Sequence, residues 1–225
     1  MKVKLISYSK PTDSISNDGI DNAQELVAFC ARVSNPSNQL NTETSEKLIK
    51  YLIREGHWSP LEMVTACLEI NTTRDIAHQI VRHRSFAFQE FSQRYANPES
   101  LGSMFTRRDA RLQDHKNRQN SIVLEKNEEN NVLIQQWLSH QDKVVLAAAK
   151  AYEWAIANGI AKEQARVVLP EGLTKTRLYM NGTIRSWVHY IELRSEKNGT
   201  QNEHVEIAQA CAEVISKVFP LAQKL

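Results

Sequence analysis

Arg82-His83-Arg84-Ser85-Phe86-Ala87-Phe88-Gln89-Glu90-Phe91-Ser92-Gln93-Arg94-Tyr95 is the stretch around which the rest of the chain is organised. Arginines, a histidine, a glutamate and serines are interleaved here with Phe86, Phe88 and Phe91. A solvated charged face has no need of so many phenylalanines, and a core strand does not carry guanidinium groups. The mixture predicts a buried or half-buried polar site, in which charges have partners and aromatics exclude water. Arginine presents a planar fork of donors that suits phosphates and the carbonyl edges of bases. Glu90, Ser92 and Arg94 are two apart, so in extended chain they line one face and offer an acceptor, a hydroxyl and a cation to one ligand. On chemistry alone, a structural arginine–glutamate ion-pair network reads as well.

Composition bounds the answer. The chain has 225 residues, enough for one sizeable domain with a real core, and no repeat or linker divides it. Net charge is +2, so no bulk electrostatic footprint points to a nucleic-acid polymer or an acidic membrane. No apolar run approaches the roughly 20 residues of a membrane span. The N-terminus passes from Met1 straight into strand-like alternation, without the apolar region of a signal peptide. Cys30, Cys67 and Cys211 are far apart and form no Cys-x-x-Cys, so neither disulfides nor a metal site is expected, and a reducing cytoplasm fits. A rival reading is a nucleic-acid-binding protein that uses Arg82–Arg94 and Arg107–Arg118 as a basic face, with the phenylalanines stacking on bases. The near-neutral charge and the acids interspersed over 107–129 count against it.

Periodicity and punctuation predict strands at 3–8, 63–71 and 174–181. They predict helices at 21–33, capped by Asp21 or Asn22, and at 42–55, stopped by Gly56. Further helices are expected at 72–84, 132–158, 161–169, 183–193 and 203–219. In the helix over 72–84, Gln79, Arg82 and His83 share a face. The long helix buries Leu133, Trp137, Val144, Val145, Ala148, Tyr152 and Ala155. Residues 97–131 read as a solvated insertion with some helix inside it.

The spacing Arg82-His83-Arg84, seven residues, then Ser92-x-Arg94 resembles the signature of flavin-dependent thymidylate synthases. Three further runs resemble other parts of that family. They are His57-Trp58-Ser59-Pro60-Leu61-Glu62, Glu163-Gln164-Ala165-Arg166-Val167-Val168-Leu169-Pro170, and Thr183-Ile184-Arg185-Ser186 through His189 to Leu193-Arg194. Leu61 stands where the family has Phe, and Thr183 where many members have Asn. The likeness covers roughly residues 20–215, apart from 97–131.

This resemblance implies an α+β fold, helices around a small, mostly antiparallel sheet, assembled as a homotetramer with active sites at subunit interfaces. It implies reductive methylation of dUMP to dTMP, with 5,10-methylenetetrahydrofolate as carbon donor and non-covalent FAD, reduced by NADPH, as hydride source. His57, Ser59, Arg82, His83, Arg84, Glu90, Thr183, Arg185 and His189 are the implied FAD-binding residues. Gln79, Arg82, Glu90, Ser92, Arg94, Arg166 and Arg194 are the implied dUMP-binding residues, with Arg166 reaching the nucleotide of a neighbouring subunit and Arg194 activating the uracil. Gln201 or Asn202 stands where several members place a flavin-proximal histidine.

The residues themselves agree with that chemistry. The seven glycines form no Gly-x-Gly loop, so a flavin's phosphates would be held by Arg82, His83, Arg84 and Arg185 instead. No cysteine sits in a polar motif, which suits a mechanism without a protein nucleophile. Ser92 has no histidine-plus-acid arrangement beside it and is expected only to hydrogen-bond the substrate.

Overall fold

The structure, a computed structural model, describes residues 2–125, 127–196 and 199–223. In chain order the elements are β1 (Lys2–Tyr8), α1 (Asp13–Ser16), α2 (Ala23–Ala31), α3 (Ser45–Arg54), β2 (Thr65–Thr73), α4 (Arg74–Ile80) and β3 (Ala87–Glu90). Then follow β4 (Arg111–Gln113), β5 (Ser121–Val123), α5 (Glu128–Ala157), α6 (Lys162–Ala165), β6 (Lys175–Thr183), α7 (Ile184–Arg194) and α8 (Asn202–Ser216). The fold is α+β. One sheet, ordered β1-β2-β6-β3, has every neighbouring pair antiparallel.

Strand alternation explains the layering. In β2 and β6, Ala66, Leu68, Ile70, Leu178 and Met180 are buried. They form one core with Ile76, Ala77 and Ile80 of α4, Trp187, Val188 and Ile191 of α7, and Ile207, Ala208 and Cys211 of α8. Helices therefore cover this face. The opposite face is polar: Tyr179 donates to Glu69, and Arg177 and Asn71 are hydrogen-bonded at 3.0 Å. Hydrophobic burial of the first face supplies the driving force, and the second face is left to water or a partner.

β2 and β6 each run directly into a helix, so each strand aims a helix start across the sheet. Asn22 caps α2 by accepting from the Gln24 and Glu25 amides. Asn127 caps α5 in the same way at Asn130.

Several boundaries differ from the sequence reading, and each difference has a cause. The helix expected over 72–84 stops at Ile80. The Arg82 and His83 amides bond three residues back, to Gln79 and Ile80, so the chain is already turning. That turn is needed to bring Phe86 and β3 onto β6. Arg82 and His83 thus do not share a helix face with Gln79. Nor do Glu90, Ser92 and Arg94 line an extended face. The last sheet bond is made by the Phe91 amide to Arg177, and the Tyr95 and Ala96 amides then both donate to the Ser92 carbonyl.

In α5, Ala148, Tyr152 and Ala155 are buried as expected, whereas Leu133, Trp137 and Val144 are exposed. Among the described residues, the stretch 97–131 holds the expected helix only as a 3-10 turn at Pro98–Leu101 and the first turn of α5 from Glu128, with the β4–β5 ribbon between them. Most of its side chains are exposed, but two of its arginines are not. Arg108 bridges Asp75, Thr73 and the Gly172 carbonyl, and Arg111 pairs with Glu203. That region is tied into the domain through the starts of α4 and α8. No helix among the described residues is long and apolar enough to cross a membrane.

Candidate active site

Arg194 closes α7 and points at the turn that follows α4. Its Nε donates to His83 Nε2 at 3.2 Å. A nitrogen that accepts carries no proton, so His83 is neutral, with its proton on Nδ1. Burial, and then the Arg194 and His189 charges, pull the His83 pKa down to about 4. Behind His83 lies Tyr190, edge-on at 5.0 Å between ring centroids. Packed against both rings, 5.7 Å from Tyr190 and 6.2 Å from His83 between centroids, lies His204, wholly buried, with Nε2 3.1 Å from the Tyr190 hydroxyl. His204 Nδ1 lies 3.3 Å from Gln79 Oε1, and the Gln79 amide donates to Gln201 at 2.9 Å. Gln79, His83, His189 and Arg194 are thereby gathered in one cluster.

The turn carrying His83 is anchored by Phe86. Its ring meets Trp187 at 4.8 Å and lies directly over Gly182. A Cβ at position 182 would stand 2.4 Å from that ring, so only glycine allows the approach. Next to it, Ser186 donates to the Ser85 carbonyl, and Thr183 accepts from the Ser186 amide as the N-cap of α7. Arg185 forms an ion pair with Glu62. This joins the run containing His57 and Ser59, both exposed, to the start of α7. Arg82 and Arg84 are exposed, and their guanidinium groups have no hydrogen-bond or ionic partner among the described residues.

The remaining candidates form separate groups. Glu90 accepts from Thr176 at 2.8 Å and from Arg74 at 3.3 Å. Arg94 faces the Glu163 carboxylate at 3.7 Å, and Arg166 Nε donates to the Glu163 carbonyl. Arg166 thus contacts the Glu163 backbone, and the Glu163 carboxylate is given to Arg94. Ser92 lies between these groups in the chain, half-buried in its turn. A cleft of about 600 Å³ lies elsewhere, on the polar side of the sheet among Asn71, Arg177 and Glu203. Arg82, Arg84 and Arg94 lie instead on open surface.

His204 and Tyr190 are cluster members that motif reading did not single out, and Gln201, one of the two residues at the place of the family's histidine, joins them through Gln79. One signal was available: His204 falls on the apolar stripe of α8 with Ile207, Ala208 and Cys211. A histidine there must find polar partners inside the protein.

Exposed arginines on the turn after α4, beside the imidazoles of His83 and His204, give this α+β fold a cationic surface of the kind that suits an anionic ligand. Residues 17–221 match the family model described as thymidylate synthase complementing protein. A probable flavin-dependent thymidylate synthase of Paramecium bursaria Chlorella virus 1 is 48% identical over 224 residues, covering 100% of this chain and 98% of that protein. The flavin-dependent thymidylate synthase of Synechocystis sp. is 47% identical over 221 residues, covering 98% and 96%. A solved UMP/dUMP methylase from Streptomyces cacaoi, bound with 5-Br dUMP, superposes with a TM-score of 0.79 at 24% identity, over 99% of this chain and 93% of that one. That likeness is one of fold. The chain belongs to the family of flavin-dependent thymidylate synthases.

Proposed function

We propose that this chain methylates dUMP to dTMP reductively, with 5,10-methylenetetrahydrofolate as carbon donor and FAD reduced by NADPH, as one domain in a cytoplasmic homotetramer. The observation that carries the reading is the Arg194–His83 contact. Nε is held by a neutral imidazole, and the terminal nitrogens of the guanidinium have no partner among the described residues. A planar fork is left free beside a half-buried wall, where its charge is less screened than in water. Such a fork suits the O2–N3 edge of a uracil ring as it becomes electron-rich, by the logic of an oxyanion hole.

The free guanidinium groups of Arg82 and Arg84, with Arg185 close to α7's start, suit the diphosphate of FAD. His83 lies on the turn of Arg82 and Arg84, Thr183 and His189 belong to the start and body of α7, and His57 and Ser59 lie on the run whose Glu62 pairs with Arg185; with Glu90 they complete that set. A bound flavin supplies the reducing equivalents. Gln79, Ser92, Arg94 and Arg166 hold and orient the nucleotide. Arg94 and Arg166 lie apart from Arg194, beside Tyr95 and Val167, which are 78% and 82% exposed. Exposed apolar side chains beside those arginines favour a neighbouring subunit there, which supports a shared site.

The test is a purified preparation supplied with FAD, dUMP, NADPH and methylenetetrahydrofolate. The expected result is about one flavin per chain and dTMP formation that requires all of them. A colourless protein that does not take up FAD and makes no dTMP would overturn the reading.

A further inference from the structure

We propose that His204 is a positioning residue for substrate binding: a neutral imidazole, protonated on Nδ1, that fixes the amide of Gln79 on one side and the hydroxyl of Tyr190 on the other. It rests on the reading of Gln79 as a dUMP-binding residue.

The geometry determines the proton's place. Gln79 Nε2 donates to Gln201 Oε1 at 2.9 Å, which sets the orientation of the Gln79 amide. Its Oε1 is then the atom that faces His204 Nδ1 at 3.3 Å, so Nδ1 must carry the hydrogen. His204 Nε2 is left as an acceptor, and Tyr190 donates to it across 3.1 Å. Each group in the chain Tyr190–His204–Gln79–Gln201 therefore has one direction of donation. After these bonds the Gln79 amide keeps one N–H and one lone pair, in fixed order, for a ligand.

The burial is what makes the arrangement rigid. His204 and Tyr190 are both fully enclosed. Arg194 and His83 are the charged or titratable groups that face His204, besides Tyr190. Burial first, and then those two, lower its pKa to about 4, so the imidazole stays neutral at physiological pH. Tyr190 also backs His83, which holds Arg194. One buried side chain thus steadies the nucleotide-facing end of α4 and, through Tyr190, the wall behind the reactive arginine.

Two measurements on the FAD-loaded protein test this. The first is the nitrogen chemical shifts of the His204 ring by NMR, assigned by loss of the signals in His204→Gln. A neutral Nδ1–H tautomer at pH 7 is expected, and an Nε2–H or cationic ring would overturn the proposal. The second is dUMP affinity, measured by titration alongside flavin content. His204→Leu is expected to keep FAD and to weaken dUMP binding about tenfold, the scale of one lost hydrogen bond. His204→Gln offers a donor to Gln79 and an acceptor to Tyr190, and is expected to stay within about threefold of wild type.

In a Gln79→Met background, His204→Leu should weaken dUMP binding no further, because the two act as one unit. Full additivity, or wild-type affinity in His204→Leu, would overturn the proposal. Should His204→Leu not fold, the ring tautomer and the His204→Gln affinity decide it. A wild-type protein that binds FAD but no dUMP would contradict the substrate reading, and the ring measurement would still judge the local geometry.

Discussion

Replacing Arg108 with Met should destabilise the protein by about 3 kcal/mol, the scale of removing one partner from a buried ion pair. The side chain is 13% exposed and meets both oxygens of Asp75 at 2.8 and 2.9 Å, the Thr73 hydroxyl at 2.5 Å and the Gly172 carbonyl at 3.2 Å. Its other nitrogen lies 3.1 Å from Glu203. Burial pushes the Glu203 carboxyl up, but a backbone hydrogen bond and the Arg108 and Arg111 charges outweigh it and hold the carboxyl below its ordinary range. Methionine keeps most of the apolar stem, so the loss reports charge and hydrogen bonds more than packing. Arg107→Ala is the control. Its pair with Asp142 is 58% and 40% exposed, so its loss should cost under about 1 kcal/mol. Urea unfolding of wild type and both variants, at one protein concentration, measures the difference. Equal midpoints for the two variants would refute the claim that this segment is fastened to the starts of α4 and α8.

Acid should weaken the fold through His204. Its folded pKa of about 4 lies below the ordinary 6.5, so the unfolded chain binds more protons between those values. Stability is therefore complete above about pH 6.5 and falls as pH drops toward 4, by about 3 kcal/mol from this group. Urea midpoints at pH 7.5 and 4.5 should differ less in His204→Gln than in wild type. Gly182→Ala should push Phe86 off β6 and cost FAD or dUMP affinity even if the protein stays folded, as measured by titration and circular dichroism. Ser92→Ala should retain activity within roughly tenfold, because one neutral hydrogen bond is lost. A trapped covalent adduct between Ser92 and the pyrimidine would contradict that role.

Much of this was legible in residues 82–94, and the reasons are physical. Aromatics mixed with arginines forced a half-buried polar surface, and Phe86 over Gly182 is how the fold achieves it. Alternation in β2 and the cap at Asn22 placed two of the main elements, whereas the long helix starts at Glu128, capped by Asn127, and not at 132. What pattern could not give was partnership across the fold. Arg108 and Arg107 are neighbours in sequence, yet one is buried in an ion network and the other is on the surface. Nothing local distinguishes them; the difference comes from Asp75 and Glu203, each more than 30 residues away. His204 is a similar case, since its partners Gln79 and Tyr190 come from two other helices. The exposed Leu133, Trp137 and Val144 show the converse: an apolar stripe on α5 specifies a face to be covered, not that this one chain covers it.

The central claim is that the Arg194 charge acts on the pyrimidine and not on flavin binding. It is tested most directly by measuring flavin content, anaerobic flavin reduction by NADPH and dTMP formation on one preparation of Arg194→Ala. Flavin content and reduction near wild type are expected, with dTMP formation lower by a hundredfold or more, about 2.7 kcal/mol at the barrier. Arg194→Lys should recover only part, because an ammonium cannot present a planar fork. Near-normal dTMP formation in Arg194→Ala, or loss of its flavin, would contradict the account.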